Sequence, residues 1–235
     1  MNPNKANLGL GGIVRLCGLM LALSLATMCL SFGTVAKYAT SDSAQDSARV
    51  AKFGVQIEAT DESTFQTEYS SADNTITVKS SNGDKLVAPG TSDENGLCFT
   101  ISGNPEVATQ VDIDLSFDKD VFLKMQKDGA PYYYYPVKFT LTKNDTVLAE
   151  GNLEAIEQAF DSYSASARYE AFTAIGSNFS LSWEWDYTAA DAVTDTWDTL
   201  LGDIAAGIVP TGYVDGEDYC LDISYSVTIS VYQVD

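Results

Sequence analysis

The chain has 235 residues, 45% of them hydrophobic, with six prolines, thirteen tyrosines, four cysteines and no histidine. Thirteen bases stand against 33 acids, a formal charge of −20. So acidic a surface repels nucleic acid and anionic lipid, and the missing histidine removes both the usual general base and the commonest metal ligand.

The first element is a leader. Residues 16–32, LCGLMLALSLATMCLSF, hold only apolar or small side chains, with Lys5 and Arg15 before them and Thr34-Val35-Ala36 after. A basic start, an apolar centre and a small-x-small end form the pattern of a secretory signal peptide. The apolar run is 17 residues, short of the roughly 20 that a transmembrane helix needs. The expectation is cleavage after Ala36 that leaves Lys37 at the front; a retained anchor is the alternative. The leader carries two bases and no acid, so the remainder has 11 bases against 33 acids, net −22. Such a body is soluble by self-repulsion and leaves room for weak calcium binding, with no cofactor implied.

Cys17 and Cys29 leave with the leader. Cys98 and Cys220 remain, on the polar phase of two predicted strands, LCFTIS and YCLDISYS. An even pair in an exported protein is expected to form one disulfide; two free thiols are the alternative.

Residues 37–48 are polar and small, beginning Lys37, Tyr38, Ala39, Thr40, Ser41, Asp42. They have no apolar stripe of their own and read as a flexible segment ahead of a domain over 49–235. AKFGVQIEA then alternates, with Ala51, Phe53, Val55 and Ile57 on one face, which predicts a strand. TITVK (75–79) predicts a short strand, and Ala88-Pro89-Gly90 a turn. LCFTI places Leu97, Phe99 and Ile101 inward; VDIDLSF places Val111, Ile113, Leu115 and Phe117 inward. VKFTLT and TVLAE flank a Lys-Asn-Asp turn and predict a hairpin. In GNLEAIEQAF, Asn152 is the expected N-cap of a helix that buries Leu153, Ile156 and Phe160. FSLSWEWDY sets Phe179, Leu181, Trp183, Trp185 and Tyr187 on one face. In DAVTDTWDTLLGDIAAG, Val193, Trp197, Leu200, Leu201 and Ile204 form a helical stripe that stops at Gly207. LDISYSVTISVYQV is a long final strand. Half-buried strands with few helices predict a mainly β fold, an antiparallel sandwich.

Few residues point to chemistry. Asp112 and Asp114 lie two apart on a strand whose other face is apolar, which makes them a solvated outer face rather than a catalytic or calcium-binding pair. Asp118 and Asp120 extend the run, but no calcium-loop pattern follows. No H-E-x-x-H, G-x-S-x-G or phosphate loop occurs, so the reading is not an enzyme. In PYYYYPV, Tyr132, Tyr133, Tyr134 and Tyr135 form either a surface aromatic patch for sugar or protein, or a strand with two rings in the core and two outside. The second is favoured, and Trp183, Trp185 and Trp197 read as core.

Several stretches, in order, resemble the TasA/camelysin family of exported proteins handled by a SipW-type signal peptidase. They are the Gly33-Thr34-Val35-Ala36 end of the leader, the following ATSD and ARVAKFGV, and the APG turn before LCFTISG. VDIDLSF, WEW near DTWDTLLG, and the terminal ISYSVTISVYQVD complete the likeness. The resemblance covers most of residues 16–57, 86–117 and 179–235, and 118–178 carries little of it. It implies a jelly-roll-like sandwich, secreted to the cell surface or biofilm matrix. It also implies fibres made by passing an N-terminal strand into the next subunit, so that residues 37–48 act as the donor. The partners implied are the SipW-type peptidase, which would recognise Thr34, Ala36 and Lys37, and other copies of this chain or a related matrix subunit. Membrane is met only before leader cleavage. Camelysin is described as a metallopeptidase, but no histidine-based metal motif is present to carry that activity over. A monomeric surface adhesin or carbohydrate-binding module is the alternative of a different class.

Charge adds to this reading. Residues 37–57 carry three bases and two acids, whereas residues 58–235 carry 8 bases and 31 acids, with no base beyond Arg168. A mildly positive tail meeting a strongly negative body gains encounter rate at low salt, while the bodies repel one another.

Overall fold

The computed structural model describes residues 39–43, 48–50, 54–61, 64–186 and 192–234. The leader, Lys37, Tyr38, Ala51, Phe53 and Tyr187 lie outside the described residues. The strands before the first helix are β1 (Ala39–Ser43), β2 (Ala48–Val50), β3 (Val55–Asp61), β4 (Glu68–Tyr69), β5 (Val78–Lys79), β6 (Ser92–Gly103), β7 (Thr109–Lys119), β8 (Phe122–Lys127), β9 (Ala130–Tyr134), β10 (Val137–Lys143) and β11 (Thr146–Gly151). Helix α1 (Leu153–Ser166), β12 (Arg168–Tyr169), β13 (Ile175–Trp185), helix α2 (Ala192–Ala205), β14 (Tyr219–Cys220) and β15 (Ser224–Gln233) follow.

Two antiparallel sheets make the sandwich. One runs β1-β15-β7-β12, the other β11-β10-β13-β6-β3-β2. Alternation sets which residues face inward, because successive side chains on a strand point to opposite faces. Val111, Ile113 and Leu115 of β7 and Val227, Ile229 and Val231 of β15 come from one sheet. Leu97, Phe99, Ile101, Phe139, Leu141, Phe179 and Leu181 come from the other, and all are buried in one core. Phe99 stacks on Phe179 at 4.9 Å between ring centroids, and the pairing register puts these two residues opposite each other. The expected inward residues of β6, β7 and β13 that are described are therefore in place, save Phe117, which is only partly buried.

Side-chain hydrogen bonds link the layers. The Trp183 indole donates to the Thr64 carbonyl (2.8 Å). The Thr64 hydroxyl donates to the Gly96 carbonyl (3.2 Å) and lies 2.6 Å from the Tyr225 hydroxyl, which then acts as donor to it. Burial pushes the Tyr225 phenol up to about 12, so it holds its proton as donor throughout the neutral range.

Helix α1 starts as its sequence predicts: the Asn152 side chain accepts the Ala155 N–H (3.2 Å), and Leu153, Ile156 and Phe160 are fully buried. Phe160 lies 6.4 Å from Phe99 and 6.1 Å from Phe179, which packs the helix against the inner face of the larger sheet. Helix α2 ends at Ala205 and is capped just beyond by Gly207, whose φ of +86° permits a left-handed cap. The Gly207 N–H donates to the Ile204 carbonyl, and the Ile208 N–H to that of Asp203.

Three expectations need correction. The strand expected over 75–79 shrinks to Val78–Lys79. The Asn74 side chain takes the Ser92 N–H and the Thr77 hydroxyl takes the Ser71 N–H, so local side-chain bonds displace the ladder. Val193 is 52% exposed and lies outside the stripe; α2 meets its ring partners, Tyr132 and Tyr134, a turn later at Trp197. Cys98 and Cys220 are free thiols, not a disulfide. Cys98 belongs to β6 of the larger sheet, where its sulfur lies 3.4 Å from the Ser180 hydroxyl. Cys220 belongs to β14, paired with β8 in a separate three-stranded sheet, and its thiol contacts the Asp222 carbonyl (3.6 Å). The two strands expected to be neighbours do not pair, because β14 lies in the small sheet with β8, and β15, which follows it, joins the sheet opposite β6.

Candidate assembly edge and tyrosine hairpin

The four-stranded sheet has two very different margins. At the β7 margin, main-chain groups are claimed by the end of α1 and the residues after it. The Val111 N–H donates to the Ala167 carbonyl (3.0 Å). The Ile113 N–H donates to the Ser164 hydroxyl (2.8 Å), which donates in turn to the Ile113 carbonyl (3.2 Å). Arg168 and Tyr169 then pair with Gln110 and Thr109. Ser164 can do this because it is buried at the last turn of the helix, where a short hydroxyl reaches the neighbouring backbone as a side chain with no donor cannot.

At the other margin β15 is covered, among the described residues, by β1. The register runs antiparallel from Ala39↔Tyr232 to Ser43↔Thr228. β15 is held on its far side by β7 over its whole length, from Ser224↔Lys119 to Gln233↔Thr109. It presents Val227, Ile229 and Val231 to the core. Its inner face and one edge are therefore fixed, and its other edge is an open row of main-chain donors and acceptors that a strand must cover. β1 is the sequence ATSDS. Its pairing with β15 is a main-chain ladder, the bond by which an added strand covers a sheet edge. The chain then passes to the other sheet, where β2 pairs with β3 from Ala48↔Ile57 to Val50↔Val55. Residues 39–42 of the expected donor segment thus form an extended strand on β15, and both ends of the N-terminal segment sit at sheet margins.

The tyrosine cluster lies on a hairpin. β8 and β9 pair from Leu123↔Tyr134 to Lys127↔Ala130 around an Asp128-Gly129 turn in which both residues have positive φ, the two-residue geometry that suits a right-twisted ribbon. The expectation of two tyrosines in the core is wrong. Tyr132, Tyr133 and Tyr135 are 37–44% exposed, and Tyr134 is half-buried. The hairpin belongs to the small sheet β14-β8-β9, and its inner face meets Trp197 of α2, with Leu123 buried in the common core and Tyr134 packed against it. Tyr132 and Tyr134 sit 5.4 and 5.2 Å from the Trp197 ring. Tyr133 and Tyr135 take the opposite face beside Phe122, at 5.8 and 6.2 Å. Trp183, Trp185 and Trp197 are buried, as expected.

One carboxylate fastens this arrangement. Asp198 of α2 accepts the Tyr134 hydroxyl (2.7 Å) and the Trp185 indole N–H (3.1 Å) on the same oxygen. Desolvation raises its pKa, and the two donors oppose that rise. Burial, then the bond to Asp198, holds the Tyr134 phenol well above the usual tyrosine range.

The sequence reading missed Asp120. This residue is only 7% exposed, and one carboxylate oxygen accepts the Leu153 N–H (3.1 Å) at the start of α1. Its other oxygen is buried with no hydrogen-bond partner. Desolvation pushes its pKa up to about 6, against the lowering effect of backbone donors. Asp120 follows the alternating Asp112, Asp114 and Asp118 and so looks like one more outward acid; it differs in coming directly before Val121, which is buried. Asp112 and Asp114 do point outward, opposite Ser230 and Thr228. Among the described residues no three carboxylates or thiols converge on a point that would hold a metal ion, and no helix is long and apolar enough to cross a membrane. No family model, curated protein or solved structure matches the chain.

Proposed function

We propose that this is an exported structural protein of the cell surface or biofilm matrix that polymerises by strand exchange. The reading is carried by one observation: the β15 edge is covered by a short, polar, N-terminal strand held by its backbone. Such a strand gains almost the same hydrogen bonds on another copy's β15 as on its own, so the choice between closed and exchanged forms rests on concentration and linker strain. In the exchanged form residues 39–43 leave their own body and lie along β15 of the next in the same register. Lys37 and Tyr38 lead the segment once a SipW-type peptidase has cut after Ala36, which frees it from the membrane. A head-to-tail contact of this kind does not close on itself and gives a filament. The resemblance to TasA and camelysin supports the same reading, which gives the chain no enzymatic role.

The experiment is to follow the chain from export onward. N-terminal sequencing of the secreted product is expected to begin at Lys37. Cleaved protein is expected to form filaments in electron micrographs, and protein lacking residues 37–48 is expected to stay monomeric. Filaments formed by the truncated protein would overturn the exchange.

A second reading has its own observation. Three exposed tyrosines on a hairpin braced by Trp197 form an aromatic surface suited to a sugar or protein ligand. An adhesin of this kind would bind a glycan or surface protein while remaining monomeric after cleavage, and the replacement of Tyr133 and Tyr135 by alanine would abolish that binding.

A further inference from the structure

Asp120 forms part of the wall of a cleft of about 390 Å³ between the end of β7, the β9–β10 link, the start of α1 and the loop before β14. The groups that face it come from every one of these elements: Asp118 and Lys119 from the end of β7, Tyr135 from the hairpin link, Glu154 from the first turn of α1, Asp215 from the loop before β14, and Cys220 from β14 itself. The base among them, Lys119, is already engaged by Asp222 outside the cleft (2.8 Å). Four carboxylates are left without a cation among the lining groups. The Asp120 oxygen with no hydrogen-bond partner is the most demanding of them, since a buried acceptor without a donor is destabilising.

The shape of the demand selects the ligand. The carboxylates do not converge as a metal ion requires, because a divalent cation needs several oxygens at one short distance. They are spread around an opening walled by aromatic rings, Phe122 and Tyr135, whose centroids are 6.2 Å apart. Desolvation, then the Asp120 and Glu154 charges, raise the Tyr135 phenol, so it stays neutral and its ring faces an electronegative space. An ammonium group on an alkyl stem satisfies both features. Its three N–H donors can serve separated oxygens, its charge favours an aromatic face, and its methylenes occupy the apolar part of the wall.

We propose that this cleft binds a primary alkylammonium group, the terminus of a lysine side chain or of a polyamine. This inference does not depend on the assembly reading. The affinity falls as the Asp120 carboxyl takes up its proton below about pH 6.

Calorimetric titration of the full chain with 1,5-diaminopentane and with Nα-acetyl-lysine methylamide at pH 7.5 tests it. Binding of both assigns the ammonium itself as the ligand. Binding of the diamine alone restricts the cleft to polyamines, and binding of the lysine derivative alone to protein side chains; each outcome supports the proposal. D120N and Y135A are expected to weaken binding at least tenfold and about threefold, and calcium chloride at equal concentration is expected to leave it unchanged. Y135A does not touch the helix start, so it decides the matter if D120N fails to fold. Absence of binding by both probes, full displacement by calcium, or unaltered binding in Y135A would overturn the proposal.

Discussion

Burial raises the Asp120 carboxyl from an ordinary value near 3.8 to about 6, and the sign of the consequence is fixed. The folded chain holds that proton more tightly than the unfolded one, so the ionised residue destabilises the fold above about pH 6 and has no such effect below about pH 4. A rise from near 3.8 to about 6 corresponds to about 3 kcal/mol. Urea unfolding of D120N and the parent from pH 4 to 7 is expected to show the parent losing about that much relative to the variant as pH rises; parallel curves would refute the assignment. Tyr134→Phe tests the other buried carboxylate. It removes the O–H donor to Asp198 and leaves the Trp185 indole in place. A cost of about 2 kcal/mol is expected in the denaturation midpoint, because a charged acceptor loses a hydrogen bond in a half-dry site.

Among the elements, those whose residues alternate or recur without interruption could be read from the chain. β7, β13 and α1 are such cases: each has one continuous apolar face and meets a large neighbour, so periodicity and burial coincide. Replacing the Asn152 cap by alanine is expected to cost about 1 kcal/mol, measured by urea midpoint, since one helix N–H loses its acceptor. Where the reading failed, the cause was a partner the periodicity cannot announce. The tyrosines of β9 alternate, but one face packs on Trp197 of helix α2 and the other lies beside Phe122 near the surface, so their alternation records a small separate sheet. Val78–Lys79 is short because asparagine and threonine side chains compete for the backbone nearby. Cys98 and Cys220 share a phase but not a sheet, and phase alone says nothing about neighbours. Gly103 is a further position of this kind, unmarked by pattern. Its φ is +155°, and a Cβ there would lie 2.1 Å from the Gly54 carbonyl oxygen. G103A is expected to destabilise the protein by at least ~2 kcal/mol, read as a lower thermal midpoint, because the end of β6 could no longer lie so close to the backbone of Gly54 and Val55 at the start of β3.

For the whole molecule, charge is divided unevenly along the chain. Residues 37–57 are net +1 and residues 58–235 net −23, so attraction between tail and body and repulsion between bodies respond to salt in opposite directions. Under the exchange reading, the early rate of filament formation by cleaved protein is expected to fall between 20 and 200 mM sodium chloride, with the final filament mass rising over the same range. Light scattering reads the first and sedimentation the second. The sandwich class was legible because half-buried strands dominate the chain; the unequal margins of its smaller sheet were not, since they arise from Ser164 and Ala167 folding back upon β7. That inequality has a directional consequence. Under the exchange reading, a polymer that grows only along the β15 side has two chemically distinct ends, one showing a vacant groove and the other an unspent tail. A subunit stripped of its tail can still be joined through its groove but can add to nothing itself, so a trace of it should act as a chain terminator and shorten every filament in proportion to its dose.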